Sequence, residues 1–139
     1  RARGGPMAKI RHIAIRTGDV ERAAAFFQEV FGLQLVQRRA HGPIDLSDGD
    51  INLTLLPLHL NAGGRELRPG VEHLGFTVTD EEETRRRILA QGAKELTPVQ
   101  LGDVYYEAKF ECLDGVIVDV GHWRGASPIE APAATTATE

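Results

Sequence analysis

The run His12-Ile13-Ala14-Ile15-Arg16-Thr17-Gly18-Asp19 recurs without a gap as His73-Leu74-Gly75-Phe76-Thr77-Val78-Thr79-Asp80, so one unit is used twice along the chain. Each copy opens with a short alternating run that predicts a strand. Seven residues after the His stands an Asp, where a helix N-cap belongs. The next segments are helical by pattern. Over Val20 to Phe31 the residues Val20, Ala24, Phe27 and Phe31 fall on one face; over Glu81 to Gln91, Thr79 with Glu82 offers a capping box and Gly92 ends the helix. Three strand-like segments follow in each copy: Leu33 to Arg39, Pro43 to Ser47 and Ile51 to Pro57, against Lys94 to Val99, Val104 to Cys112 and Val116 to Gly121. Ser47-Asp48-Gly49-Asp50 and Leu113-Asp114-Gly115 are the turn signals before the last strands. The pattern is βαβββ twice over, with one module expected at 8–60, a linker at 61–70 and the second module at 71–124.

The ends carry no such pattern. Residues 1–7 read as a vector-derived or flexible N-terminus, with Met7 the expected natural start, and 125–139 (GASPIEAPAATTATE) as a flexible tail rich in Ala, Pro and Thr. The length of 139 residues suits one compact domain with a real core. Its single cysteine, Cys112, excludes an intramolecular disulfide and a cysteine-based zinc site, which fits a reducing cytoplasm; the thiol is read as a small buried hydrophobe. A formal charge of −4 and a pI near 5.7 give no footprint for nucleic acid or an anionic membrane, and no apolar run is long enough to span a bilayer. A small-molecule partner is the default that remains.

Alternation says where the histidines point. Leu74, Phe76 and Val78 share one strand face and suit packing under a helix, while His73, Gly75 and Thr77 share the other; Ile13 and Ile15 stand likewise against His12, Ala14 and Arg16. The residue two after each His is small, Ala14 or Gly75, which leaves room beside the imidazole. On the final strand Val116, Val118 and Val120 form an apolar face and Ile117, Asp119 and Gly121 the opposite one, so Asp119 interrupts a hydrophobic strand, an expensive place for a carboxylate unless something cationic meets it. A lone strand His is more often a hydrogen-bonded structural residue than a ligand. Two of them at equivalent points of a duplicated unit, together with Asp119, make a candidate metal set. Imidazole and carboxylate suit Zn, Mn, Fe, Co or Ni, and three ligands leave positions open for substrate and water. The expected fold class is therefore α+β, two tandem βαβββ modules forming a curved mixed sheet around a metal-binding cavity.

Four segments carry a resemblance to a known family: Ile10-Arg11-His12-Ile13-Ala14-Ile15, Ala25-Phe26-Phe27-Gln28-Glu29-Val30-Phe31-Gly32-Leu33, Val71-Glu72-His73-Leu74-Gly75-Phe76, and Phe110-Glu111-Cys112-Leu113-Asp114-Gly115-Val116-Ile117-Val118-Asp119. In these the chain resembles the vicinal oxygen chelate superfamily of glyoxalase I, methylmalonyl-CoA epimerase, extradiol dioxygenases and the fosfomycin and bleomycin resistance proteins. The resemblance implies a ligand on the first and last strand of each module. It places His12 and His73 on opening-strand ligands and Asp119 where the family usually has Glu. The fourth position falls nearest to Thr54, a poor ligand, where lyases and epimerases carry Glu, Gln or His. Leu113 stands in place of the family's Pro.

Two His and one carboxylate resemble the extradiol dioxygenases, whose triad leaves three positions on an octahedral Fe(II) for a bidentate substrate and O₂. The expected activity is an Fe(II) dioxygenase acting on adjacent oxygens. The alternatives are a glyoxalase-like lyase or epimerase using Zn, Mn, Ni or Co as a Lewis acid, and a non-catalytic, ligand-sequestering protein of the bleomycin-resistance kind. Around the metal, Asn52 and Thr54 are candidates for substrate binding, Glu111 (or Glu107) for the general base and Tyr105 for orienting substrate, if the face of Tyr105, Glu107, Lys109 and Glu111 looks into the cavity rather than to water. His41, His59 and His122 are expected at the surface, with His122 and Trp123 able to close one end of the cavity. Exposed sheet edges and the habit of the superfamily predict a homodimer.

Overall fold

The computed structural model describes residues 8–59, 66–96, 99–101 and 105–121, the side chains of 99–101 and 105–107 excepted. The expectations for both termini, for His122 and Trp123, for part of the linker and for the Tyr105 side chain lie outside the described residues.

The first unit runs β1 (Ala8–Thr17), α1 (Val20–Phe31), β2 (Gln34–Arg38), β3 (Ile44–Ser47) and β4 (Asn52–Pro57). The second runs β5 (Gly70–Val78), α2 (Glu81–Ala90), β6 (Lys94–Glu95), β7 (Val99–Leu101), β8 (Tyr105–Glu111) and β9 (Ile117–Gly121). Two short pieces, both paired with β8, thus replace the single strand expected over 94–99.

Asp19 and Asp80 cap the two helices, their carboxylates accepting from the backbone of Arg22 and Glu83. Asp80 is thus the cap expected from its place seven residues after His73, and the Thr79–Glu82 box, which the sequence also offered, is not the one that forms. Gly32, at φ 71°, closes α1 in the left-handed conformation that glycine adopts without steric cost.

The sheet order is β2-β3-β4-β1-β5-β9-β8-β6, and the two halves repeat each other. In each the opening strand pairs in parallel with the last strand (β1 with β4, β5 with β9), and the remaining strands add antiparallel. The halves join where β1 and β5 run antiparallel. Helix α1 lies over Ile44, Leu46 and Leu55; in the second half Val78, Phe110 and Val120 form the core with Ile88 and Leu89 of α2 packed against it. Both helices cover the face that carries Ile15 and Phe76. The opposite face collects the polar residues, and it is the more buried of the two along β1: His12, Ala14 and Arg16 are each 5% exposed or less, whereas Ile13 and Ile15 are only partly buried.

Candidate metal centre

The antiparallel join brings the two opening histidines together. Ala14 pairs with His73 and His12 with Gly75, so each imidazole lies across from the small residue that follows the other His by two. Gly75 is the tighter of the two: a Cβ there would overlap the His12 ring. The room predicted beside each histidine is thus room for the histidine of the opposite strand.

Parallel pairing then positions the last strands. Gly75 pairs with Asp119 on β9, and its counterpart Ala14 pairs with Thr54 on β4. Thr54 occupies the place in the first half that Asp119 holds in the second. His12 Nε2 lies 3.1 Å from His73 Nε2, and His73 Nε2 lies 3.1 Å from Asp119 Oδ2. All three residues are buried, and their ligand atoms fall within 4.8 Å of one another. Two donors each about 2.1 Å from one ion and about 90–110° apart are separated by roughly 3.0–3.4 Å, so this spacing fits a single divalent ion. Burial, and after it the neighbouring His73, pushes the His12 pKa down to about 3, which keeps that ring in the neutral form that ligates.

Charged groups that the sequence did not single out surround the triad. Lys109, the antiparallel partner of Asp119, is buried and places Nζ 2.6 Å from Asp119 Oδ1. Here lies the cation that a carboxylate in an apolar strand requires. Asp45 of β3, only 1% exposed, accepts from Thr54 Oγ1 at 2.7 Å and Gln37 Nε2 at 2.8 Å, and faces Arg39 Nε at 2.9 Å. Glu72 meets the Arg16 guanidinium and lies 3.4 Å from His73 Nδ1. Burial opposes ionisation of Glu72, but hydrogen bonds from His73 and Arg16 outweigh it and hold its pKa down to about 2.

Adjacent strand residues normally face opposite ways. Glu72 reaches the ring beside it because β5 bulges there: Ala14 pairs with His73 and Ile15 with Val71, leaving Glu72 outside the ladder. A second register shift, which leaves out Arg11, precedes His12 in the same way. A period-two reading of sequence does not reveal a bulge.

Of the other expected site residues, Asn52 is buried as the parallel neighbour of His12, and its Oδ1 has no hydrogen-bond partner among the described residues. Thr54 is buried with its hydroxyl turned to Asp45. Alternation along β8 holds, since Phe110 enters the core while Lys109 faces the site; Glu111, on the same side as Lys109, is exposed at the strand end. His41 and His59 are exposed as expected, with His59 Nε2 3.2 Å from the His41 carbonyl.

The model of the Glyoxalase/Bleomycin resistance protein/Dioxygenase superfamily matches residues 9–114. The chain belongs to this superfamily. Among solved structures it is similar to methylmalonyl-CoA epimerase from Mycobacterium tuberculosis (TM-score 0.70, 17% identity, 89% of this chain and 94% of that one). It is also similar to a variant of the Streptomyces coelicolor methylmalonyl-CoA epimerase in complex with 2-nitronate-propionyl-CoA (0.68, 17%, 86% and 100%). The 2,3-dioxygenase LapB from Pseudomonas sp. KL28 matches with a TM-score of 0.66 and 18% identity over 85% of this chain and 41% of that one. At such identities the likeness establishes the fold of this superfamily member and leaves its reaction to the site. No curated protein matches the chain by sequence. Among the described residues no helix is long and apolar enough to cross a membrane.

Proposed function

We propose that this superfamily member is a divalent-metal-dependent enzyme, its ion held by His12, His73 and Asp119, that acts on a small molecule presenting two adjacent oxygens, with Fe(II)-dependent extradiol cleavage as the leading reaction. The observation that carries the reading is the state of Thr54. It stands at the fourth ligand position of the repeat, but its hydroxyl donates to Asp45. Among the described residues the ligand set is therefore two His and one carboxylate, a set that leaves room for a chelating substrate and a second small molecule. When bound, iron would supply a Lewis acid and a redox centre for O₂; zinc, manganese, nickel or cobalt would supply the Lewis acid alone.

The chain's own residues have separate tasks. His12 and His73 present Nε2, and Asp119 presents Oδ2 while Lys109 engages Oδ1. Asn52 Oδ1 accepts a hydrogen bond from a substrate hydroxyl, and the Thr54 oxygen retains lone pairs for the same use. Glu111 at its exposed strand end and Tyr105 remain the candidates for base and orienting group. The second reading, a lyase or epimerase with a Lewis-acid metal, is favoured by Asp45, a carboxylate buried beside Thr54. Exposed Phe26, Val30 and Phe31 on α1 support a homodimer, testable by light scattering at tens of micromolar.

To test the function, metal-free protein is reconstituted with Fe(II) or Zn(II), under argon and under air. Oxygen uptake with catechols, confined to the iron form, supports the dioxygenase. Solvent-deuterium incorporation into thioesters or hemithioacetals by the zinc form, without oxygen, replaces it with the lyase or epimerase. Tight ligand binding with neither reaction leaves a sequestering protein.

A further inference from the structure

We propose that Lys109 sets the charge of the ligand this site accepts: by neutralising Asp119 it leaves a bound divalent ion uncompensated, so the substrate class is an adjacent-oxygen chelator bound as a dianion. The inference rests on the reading of His12, His73 and Asp119 as metal ligands.

Each carboxylate described around the triad already has a cation. Asp119 has Lys109 at 2.6 Å, Asp45 has Arg39 at 2.9 Å, and Glu72 has Arg16. Those three pairs sum to zero. Three-ligand sites that contain a carboxylate normally cancel part of the ion's charge with it, but here the cancellation is spent on an ammonium. Asp119 is 1% exposed and Lys109 7%, so water does not screen the pair. A divalent ion added to this neutral wall brings two positive charges into a buried space, where unbalanced charge is costly. A chelator that supplies two negative charges restores neutrality. A neutral or singly charged one leaves part of the imbalance.

Two consequences follow. Metal and substrate bind with positive coupling, each raising the affinity for the other. Removing the ammonium also shifts affinity from the ligand to the metal, because Asp119 then compensates the ion directly.

The test uses the full chain and its variants Lys109→Met and Lys109→Arg, with Zn(II) as the metal and 4-nitrocatechol as the chelator. Zn(II) affinity is measured by competition with a chromophoric chelator, and 4-nitrocatechol binding to the zinc-loaded protein by its visible spectrum, which distinguishes monoanion from dianion. The expected result is that Lys109→Met binds zinc about tenfold or more tightly and 4-nitrocatechol correspondingly more weakly, while Lys109→Arg stays within about threefold of the parent. Binding of 4-nitrocatechol by the parent as a monoanion overturns the proposal. So does zinc affinity that is unchanged or lower in a Lys109→Met protein with a cooperative melt. If that variant does not fold, Lys109→Gln, which keeps a hydrogen-bond donor for Asp119, is put to the same measurements. Zinc uptake by Lys109→Met but not by the parent supports the role of Lys109 and overturns only the metal occupancy of the natural chain. No uptake by either overturns both.

Discussion

Gly75 lies directly beneath the imidazole of His12, its cross-strand partner, with no space between them for a Cβ. His12 is therefore held in place by the absence of a side chain on β5. In Gly75→Ala the ring or the strand must move, at about 1–3 kcal/mol of stability by the usual cost of overpacking. The fold should survive, because the cores lie on the other face. Chemical denaturation should show the loss, and equilibrium dialysis should show divalent-metal affinity falling by about tenfold or more. Unaltered metal binding would place His12 outside the ligand set.

Asp119 and Lys109 are a buried pair, and removing one member strands the other. Asp119→Leu or Lys109→Met alone should cost about 3–5 kcal/mol, while the two combined should recover most of it. Denaturant melts of the two single variants and the double variant give the coupling directly. Additive losses would mean that the pair contributes no mutual stabilisation.

Thr54→Val removes a buried hydroxyl that donates to Asp45. Asp45 keeps Gln37 and Arg39, so the expected loss is about 1–2 kcal/mol. Metal affinity should not change, because Thr54 is assigned to Asp45 and not to the ion. A large fall in affinity on isothermal titration with Zn(II) would restore Thr54 as a fourth ligand.

The equivalent caps Asp19 and Asp80 each satisfy one backbone N–H in the first turn of a helix. Asp19→Ala and Asp80→Ala should each destabilise by about 1 kcal/mol in thermal or urea melts, and Thr79→Ala by less. An equal or larger loss from Thr79→Ala would move the cap back to that residue.

The repeat of His12–Asp19 in His73–Asp80 was enough to read the two βαβββ units, their helices and the face on which each histidine lies. These features follow from local periodicity and capping chemistry, which a sequence carries explicitly. The same alternation set Asp119 apart on the last strand of the second half, and the family resemblance put Thr54 at the matching point of the first. Alternation also grouped Lys109 with Glu107 and Glu111 on one side of β8, but left open whether that side meets the cavity or water.

Only the tertiary structure decided what those side chains meet. The pairing of Lys109 with Asp119 depends on the register of β8 against β9, and the contact between Glu72 and His73 on an unpaired residue in β5; neither leaves a periodic trace. Asp45 sits in the sequence as an ordinary strand carboxylate, and becomes a buried member of the site because Thr54 lies opposite it and Arg39 folds back on it. Sequence determines which face a side chain takes, since that is set two residues at a time. Register, bulges and the closing of one polar face on itself come from contacts between distant strands. Those contacts turned two histidines and an aspartate into a site with its own charge balance.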